Sequence, residues 1–279
     1  MNTLEKTGGF SLMNGAFRKG QLPIMAHLVV GYPSLEESLR TAEAYIRAGV
    51  QVLELQIPFS HPTADGPIIT AACREAVRQG VTVRDCVVAI AALRKRHPSQ
   101  EIVAMSYLNR IYAFGCQRFM GEMEALGVQH LLVPDLPVDH IDFPGFQNLR
   151  NRRVKLVPVL AANVSDARLE KLLRMGFDFF YLMSDFKITG SAFGLHPRLR
   201  EVVARIKSHP VAPCQSANPP FPRVGIGFGI STPEQARVVV EAADLAIVGS
   251  ALIQAQGEGR LDAYLDALKN TFAPATECA

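Results

Sequence analysis

The chain has 279 residues, 48% hydrophobic and 20% charged, with a formal net charge of +3. This is ordinary globular composition, long enough for one large domain or two small ones. The weak positive balance argues against a nucleic-acid partner, and no apolar run reaches the ~18 residues of a membrane span.

The first twenty residues carry acidic Glu5 and no apolar core of signal-peptide length, and read as an N-terminal helix or extension of a cytoplasmic protein. Short β-rich runs then alternate with helical patterns. Strands are predicted at 24–30, 52–57, 102–107, 130–134, 155–160, 179–183, 224–228 and 245–249, each mostly apolar, as in a parallel sheet covered on both faces. The helix over 34–49 has a capping box in Ser34 and Glu37, a stripe of Leu35, Leu39, Ala42 and Ile46, and Gly49 as its stop. Further helices are predicted at 68–78, 82–96, 116–126, 165–175, 197–208 and 259–272, with a weaker one at 139–151 broken by Pro144 and Gly145. The basic run "LRKRHP" at 93–98 reads as a solvated helix end, where cations suit the dipole. At 231–243, Thr232 caps, Pro233 takes the first position and Gln235 closes the box.

Eight strands, each followed by a helix, match the arithmetic of a (β/α)8 TIM barrel in a single domain spanning 1–279. A doubly wound sheet fits less well: "GIGFGI" at 225–230 has isoleucine where a dinucleotide fingerprint needs its last glycine. The Pro- and Ser-rich stretch 209–222 reads as a loop insertion on the face away from the chemistry. Cys73, Cys86, Cys116, Cys214 and Cys278 show no CxxC pairing and read as reduced packing thiols. The histidines show no metal-ligand spacing, so no metal is expected.

Barrel chemistry sits where strands end. Glu54 lies near the end of the second strand and Asp65 in the loop after it, and an unpaired carboxylate in a buried strand is costly. Tyr107 and Asn109 end the third strand. Small residues follow the last three strands in "KITGS" (187–191), "GFGIS" (227–231) and "VGSA" (248–251), offering backbone N–H groups to a phosphate. Any one of these has a plain structural reading, as an ion pair or a turn glycine.

The segment "ELQIPFSHPTADGP" (54–67) with "GYPS" (31–34), "SYLN" (106–109), "VPDLP" (133–137), "YLMS" (181–184), "TG" (189–190), "GFGIS" and "VGSA" resembles the tryptophan synthase alpha subunit family, the indole-3-glycerol-phosphate lyases. The resemblance runs through nearly the whole chain. It implies cleavage of indole-3-glycerol phosphate to indole and glyceraldehyde 3-phosphate without a cofactor. Glu54 matches the family's proton-carrying glutamate, and Asp65 the aspartate that takes the indole N–H. Tyr107 and Tyr181 match aromatic residues around the glycerol and ring. Gly190, Gly229, Gly249 and Ser250 match the phosphate cradle, with Thr189 and Gly227 beside it. The implied partner is a PLP-dependent beta subunit in an alpha2beta2 assembly.

The chain departs from the family at several points. His61 stands where the family has aspartate, in a loop that faces the beta subunit, and the 185–187 stretch is altered, both of which weaken the pairing expectation. Gln56 replaces a glycine. His27 replaces an aromatic residue against the indole, and reads either as a polar ring tuned to another aryl group or as a hydrogen-bonded core histidine. Three other readings stand beside the lyase: a paralogue acting on a modified aryl glycerol phosphate, another sugar-phosphate barrel, and a non-catalytic barrel that regulates a partner. A Schiff-base aldolase is disfavoured because Lys155 and Lys187 are poorly placed.

Overall fold

A computed structural model describes residues 21–139, 153–184, 194–211, 221–227 and 229–273. The expected N-terminal helix, the 139–151 helix and most of the 209–222 insertion lie outside these residues.

The chain alternates strand and helix. It opens with β1 (Leu22–Val29), α1 (Leu35–Arg47), β2 (Val50–Gln56), α2 (Pro67–Arg78), α3 (Val83–Arg96) and β3 (Glu101–Met105). Next come α4 (Leu108–Phe114), α5 (Cys116–Ala125), β4 (His130–Leu132), β5 (Lys155–Val157), β6 (Val159–Ala161), α6 (Asp166–Arg174) and β7 (Phe179–Met183). The last elements are α7 (Pro197–Lys207), β8 (Arg223–Gly227), α8 (Pro233–Val240), β9 (Leu245–Val248), α9 (Ser250–Gly257) and α10 (Leu261–Phe272).

All strands are parallel, in the order β5-β4-β3-β2-β1-β9-β8-β7-β6. The two outer members are one strand interrupted at Pro158, which has no N–H to offer a ladder. β5 pairs with β4 on one side and β6 with β7 on the other, while the Pro158 carbonyl still accepts from Tyr181 N at 2.9 Å. The sheet therefore closes into the expected eight-stranded barrel, and the predicted strand 155–160 is its split member.

Every residue of β1 and β2 is buried, because one face points into the barrel and the other meets the helices. Met25, Val52, Val103, Leu132, Val157, Phe179 and Ile247 fill the interior, and Ile24, Leu53, Ile102 and Val224 belong to the larger core that includes the helices.

Local signals behaved as their chemistry requires. Thr232 and Gln235 form the reciprocal capping box with Pro233 in the first turn. Ser34 accepts from Glu37 N, but the Glu37 carboxylate turns to Arg40 at 2.6 Å, so only half of that box forms. Gly49 ends α1 with φ +87. Arg94 is not simply solvated: it donates to the carbonyls of Leu126, Gly127, Pro98 and Gln100, tying α3 to the following loops. Cys73, Cys86 and Cys116 are buried free thiols, and burial pushes Cys73 and Cys86 up to about 12.

Two helices were absent from the predicted elements. Tyr107 and Asn109 do not end a strand: β3 stops at Met105, Tyr107 caps α4 and Asn109 lies within it. The short helix α9 begins directly at Ser250. No helix among the described residues is long and apolar enough to cross a membrane.

Candidate active site

β2 presents Glu54 and Gln56 on the same face, two residues apart. Both are almost fully buried. A cavity of about 1020 Å³ opens over this end of the barrel, lined by His27, Glu54, Asp65, Tyr181, Gly229, Gly249 and Ser250 among others. The two acids that the sequence singled out therefore meet in one space, although they come from a strand and a loop.

Asp65 is held from two directions. Gln56 Nε2 donates to its Oδ2 at 2.6 Å, and the Tyr107 hydroxyl donates to the same oxygen at 2.9 Å. Tyr107 in turn accepts from Ala64 N at 3.0 Å, and its ring lies against Phe59 at 5.4 Å between centroids. Burial pushes the Asp65 carboxyl above the usual carboxylate range, opposed by His27, Gln56 and Tyr107 and reinforced by Glu54. Burial and the neighbouring Asp65 also push the Tyr107 phenol up, so it remains a donor.

Glu54 is not unpaired. In the β1–β2 register it stands opposite His27, whose Nδ1 is 3.2 Å from Glu54 Oε2. Tyr181, on β7, is buried; desolvation, then Glu54 and Asp65, hold its phenol well above the ordinary value.

The glycine clusters divide. Gly229, with φ +75, and Gly249 and Ser250 at the start of α9 line the cavity. Gly227 does not: it ends β8 beside Tyr181, where an added Cβ would fall 2.4 Å from the phenolic oxygen. Tyr107 also stands behind the wall, acting on the cavity through Asp65. Thr189 and Gly190 lie outside the described residues. His61 is exposed and hydrogen-bonds Ser60 at 2.8 Å.

Residues not singled out from sequence complete the wall, among them Asp135, Arg168, Gln254 and Tyr264. Asp135 sits in the "VPDLP" motif, which was noted without a role, whereas Gln254 required recognising α9. Among the described residues no three His, Cys, Asp or Glu converge as metal ligands.

A parallel eight-stranded barrel that gathers two carboxylates and a helix N-terminus at its strand ends belongs to the (β/α)8-barrel class, whose enzymes place their sites at that end. The family model described as tryptophan synthase alpha chain matches residues 14–273. A tryptophan synthase alpha chain of Dehalococcoides mccartyi is 35% identical over 247 residues, covering 88% of this chain and 91% of the relative. One from Chloroflexus aurantiacus is 32% identical, covering 84% of each. The structure resembles one from the tryptophan synthase α2β2 complex of Pyrococcus furiosus at TM-score 0.73 and 31% identity, covering 90% of this chain and 99% of that one. A Mycobacterium tuberculosis tryptophan synthase chain matches at TM-score 0.74 and 27% identity, covering 90% and 93%. The chain belongs to the tryptophan synthase alpha chain family.

Proposed function

We propose that this chain cleaves indole-3-glycerol phosphate to indole and glyceraldehyde 3-phosphate, with Glu54 as proton carrier and Asp65 as the acceptor for the indole N–H. The observation that carries the reading is the convergence of Glu54 and Asp65 on the cavity that also holds Gly229, Gly249 and Ser250.

The chemistry needs two proton movements. The glycerol hydroxyl next to the ring loses a proton as the carbon–carbon bond breaks, and indole C3 gains one. A single carboxylate that takes the first and delivers the second ends each turnover as it began. As C3 is protonated, positive charge develops on the ring nitrogen, and the Asp65 carboxylate, pinned by Gln56 and Tyr107, stabilises it in place. The electrons of the broken bond are taken up by the ring, so the step calls for no external acceptor. The phosphate end fits the start of α9, where free backbone N–H groups and the helix dipole favour an anion. Thr189 and Gly190 join that cradle by resemblance alone.

The relatives that match include a member of an α2β2 complex. On the same reading this chain works with a PLP-dependent beta subunit in the cytoplasm. The exposed His61 puts an imidazole where the family loop carries an acid, so activation by that partner should be weaker than the family norm.

The test is indole release from indole-3-glycerol phosphate by the purified chain, alone and with a beta subunit. The wild type should release indole, and Glu54→Gln should lose at least about 100-fold in kcat. No indole in either condition would overturn the reading.

A further inference from the structure

The reaction just described leaves His27 without work. Strand pairing, rather than a long flexible side chain, brings it to Glu54: the two are direct partners in the β1–β2 register, with Nδ1 3.2 Å from Oε2. Their side chains are 5% and 4% exposed. His27 lines the cavity that holds both acids, and its buried Nε2 makes no hydrogen bond of ordinary geometry among the described residues, although the Gln56 side chain lies close enough to favour its charged form. A histidine kept only for packing has both nitrogens satisfied as a rule.

We propose that His27 is the positioning residue for Glu54: its Nδ1–H fixes one carboxylate oxygen, and its positive charge pairs with that carboxylate while the substrate hydroxyl gives up its proton. The inference rests on the reading of Glu54 as the proton carrier. In the step itself the hydroxyl O–H bond breaks and a carboxyl O–H forms. The carbon–carbon bond then breaks as the same proton passes to the ring carbon, restoring the carboxylate. His27 keeps its proton throughout.

The surroundings favour that charge. β2 presents Glu54 and neutral Gln56, the following loop presents Asp65, and β7 presents the protonated Tyr181. On the other side β9 pairs with β1 through the uncharged Ala246, Ile247 and Val248, and Gly249 comes close to the His27 ring. The other charged residues lining the cavity are engaged elsewhere. Asp135 accepts from Leu108 N, and Arg168 and Arg260 pair with Asp139 and Glu258. Burial disfavours the imidazolium, but Glu54 first and Asp65 after it outweigh burial, holding His27 above its ordinary value. The sign follows: the charge is present below that raised pKa and is lost as pH rises through it.

Two measurements decide it. The first compares pH profiles of kcat and KM for indole release by the wild type, His27→Asn and His27→Phe. The wild type should lose kcat on the alkaline side with a midpoint above about 6.5. His27→Asn, which keeps a neutral donor, should lose that limb while retaining kcat within about tenfold at neutral pH. His27→Phe, which removes the donor and puts back the aromatic residue of the family pattern, should lower kcat more than about tenfold with KM changed less than about threefold. A wild-type kcat and profile in His27→Phe would overturn the role. The second measurement needs no activity: an NMR titration of the His27 imidazole in the wild type and in Glu54→Gln. The midpoint should fall when the carboxylate is removed, and an unchanged midpoint would overturn the pairing even if the His27 variants failed to fold. Absence of indole from the wild type would sink the lyase reading and this role with it. Indole from the wild type with an unchanged His27→Phe profile would sink this role alone.

Discussion

Gln56 occupies a position where the family pattern has glycine, and its amide is the shorter of the two hydrogen bonds on Asp65 Oδ2, at 2.6 Å. Since that donor opposes the burial that pushes Asp65 up, removing it should raise the Asp65 pKa further. Gln56→Leu keeps the volume but deletes the donor. The variant should lose about tenfold in kcat/KM, the scale of one hydrogen bond to a charged group. Its acid limb should also move to higher pH, because Asp65 is then protonated sooner as pH falls. The pH profile of kcat/KM checks both; an unmoved limb would mean that Gln56 only fills space. Tyr107→Phe removes the second donor while leaving the ring against Phe59, so it should shift the acid limb in the same direction.

Among elements, β8 and β7 show how close packing fixes a functional side chain. Gly227 sits on β8 directly across from Met183 in the register, and its missing side chain is the space that the Tyr181 hydroxyl uses. Gly227→Ala would put a Cβ 2.4 Å from that oxygen, a clash that something must relieve. We expect a stability loss of about 1–3 kcal/mol in urea unfolding, together with a raised KM as Tyr181 is pushed toward the cavity. Adding Tyr181→Phe should recover part of the stability, since the clashing oxygen is gone. The helix α1 makes a related point. Its most buried face runs through Ser38, Thr41, Ala42 and Tyr45, not through the Leu35 and Ile46 of the apolar stripe. Ser38 can be buried because its hydroxyl accepts from Gly31 N at 3.0 Å and donates to Leu35 O at 2.8 Å.

At the scale of the whole molecule, the end of the barrel opposite the cavity is closed by charge. Glu101, His130, Lys155 and Arg223 open β3, β4, β5 and β8, while Asp178 and Asp244 immediately precede β7 and β9. Arg223 grips Glu101 across the barrel at 2.8 Å and lies over the Phe179 ring at 5.1 Å. Asp178 binds His130 at 3.1 Å and also pairs with Lys155. Burial pushes Asp178 up, but His130 and Lys155 outweigh it and hold the carboxyl well below the usual range. A depressed carboxylate contributes stability above its unfolded value of about 3.9, and loses it as pH falls toward the folded one. Asp178→Asn should therefore cost about 2 kcal/mol at pH 7, and the gap to the wild type should shrink below about pH 4. Urea unfolding at pH 7 and pH 3 measures it; an equal gap at both would show that the ion pair contributes nothing.

Much of this was legible along the chain, and the reason is local. Alternating strand and helix patterns, Thr232 and Gln235 at a cap, and Gly49 as a stop report interactions within a few residues, so the barrel could be read before it was seen. Glu54 was legible for the same reason, because a carboxylate in an apolar run stands out, whereas Asp65 was legible by its place in the loop after that strand and by the family resemblance. The missed elements were short: α4 begins at a tyrosine with no side-chain cap, and α9 follows a glycine that resembled a turn. What sequence by itself determined was the order and type of most elements and the two acids. What only the tertiary structure decided was which side chains those acids touch. The pairing of His27 with Glu54 depends on the register of two strands, the hold of Gln56 and Tyr107 on Asp65 depends on side chains that reach across a strand end, and the clearance at Gly227 depends on a tyrosine from the neighbouring strand. Such contacts join residues far apart in the chain, and no periodicity along the chain encodes a distance across a barrel.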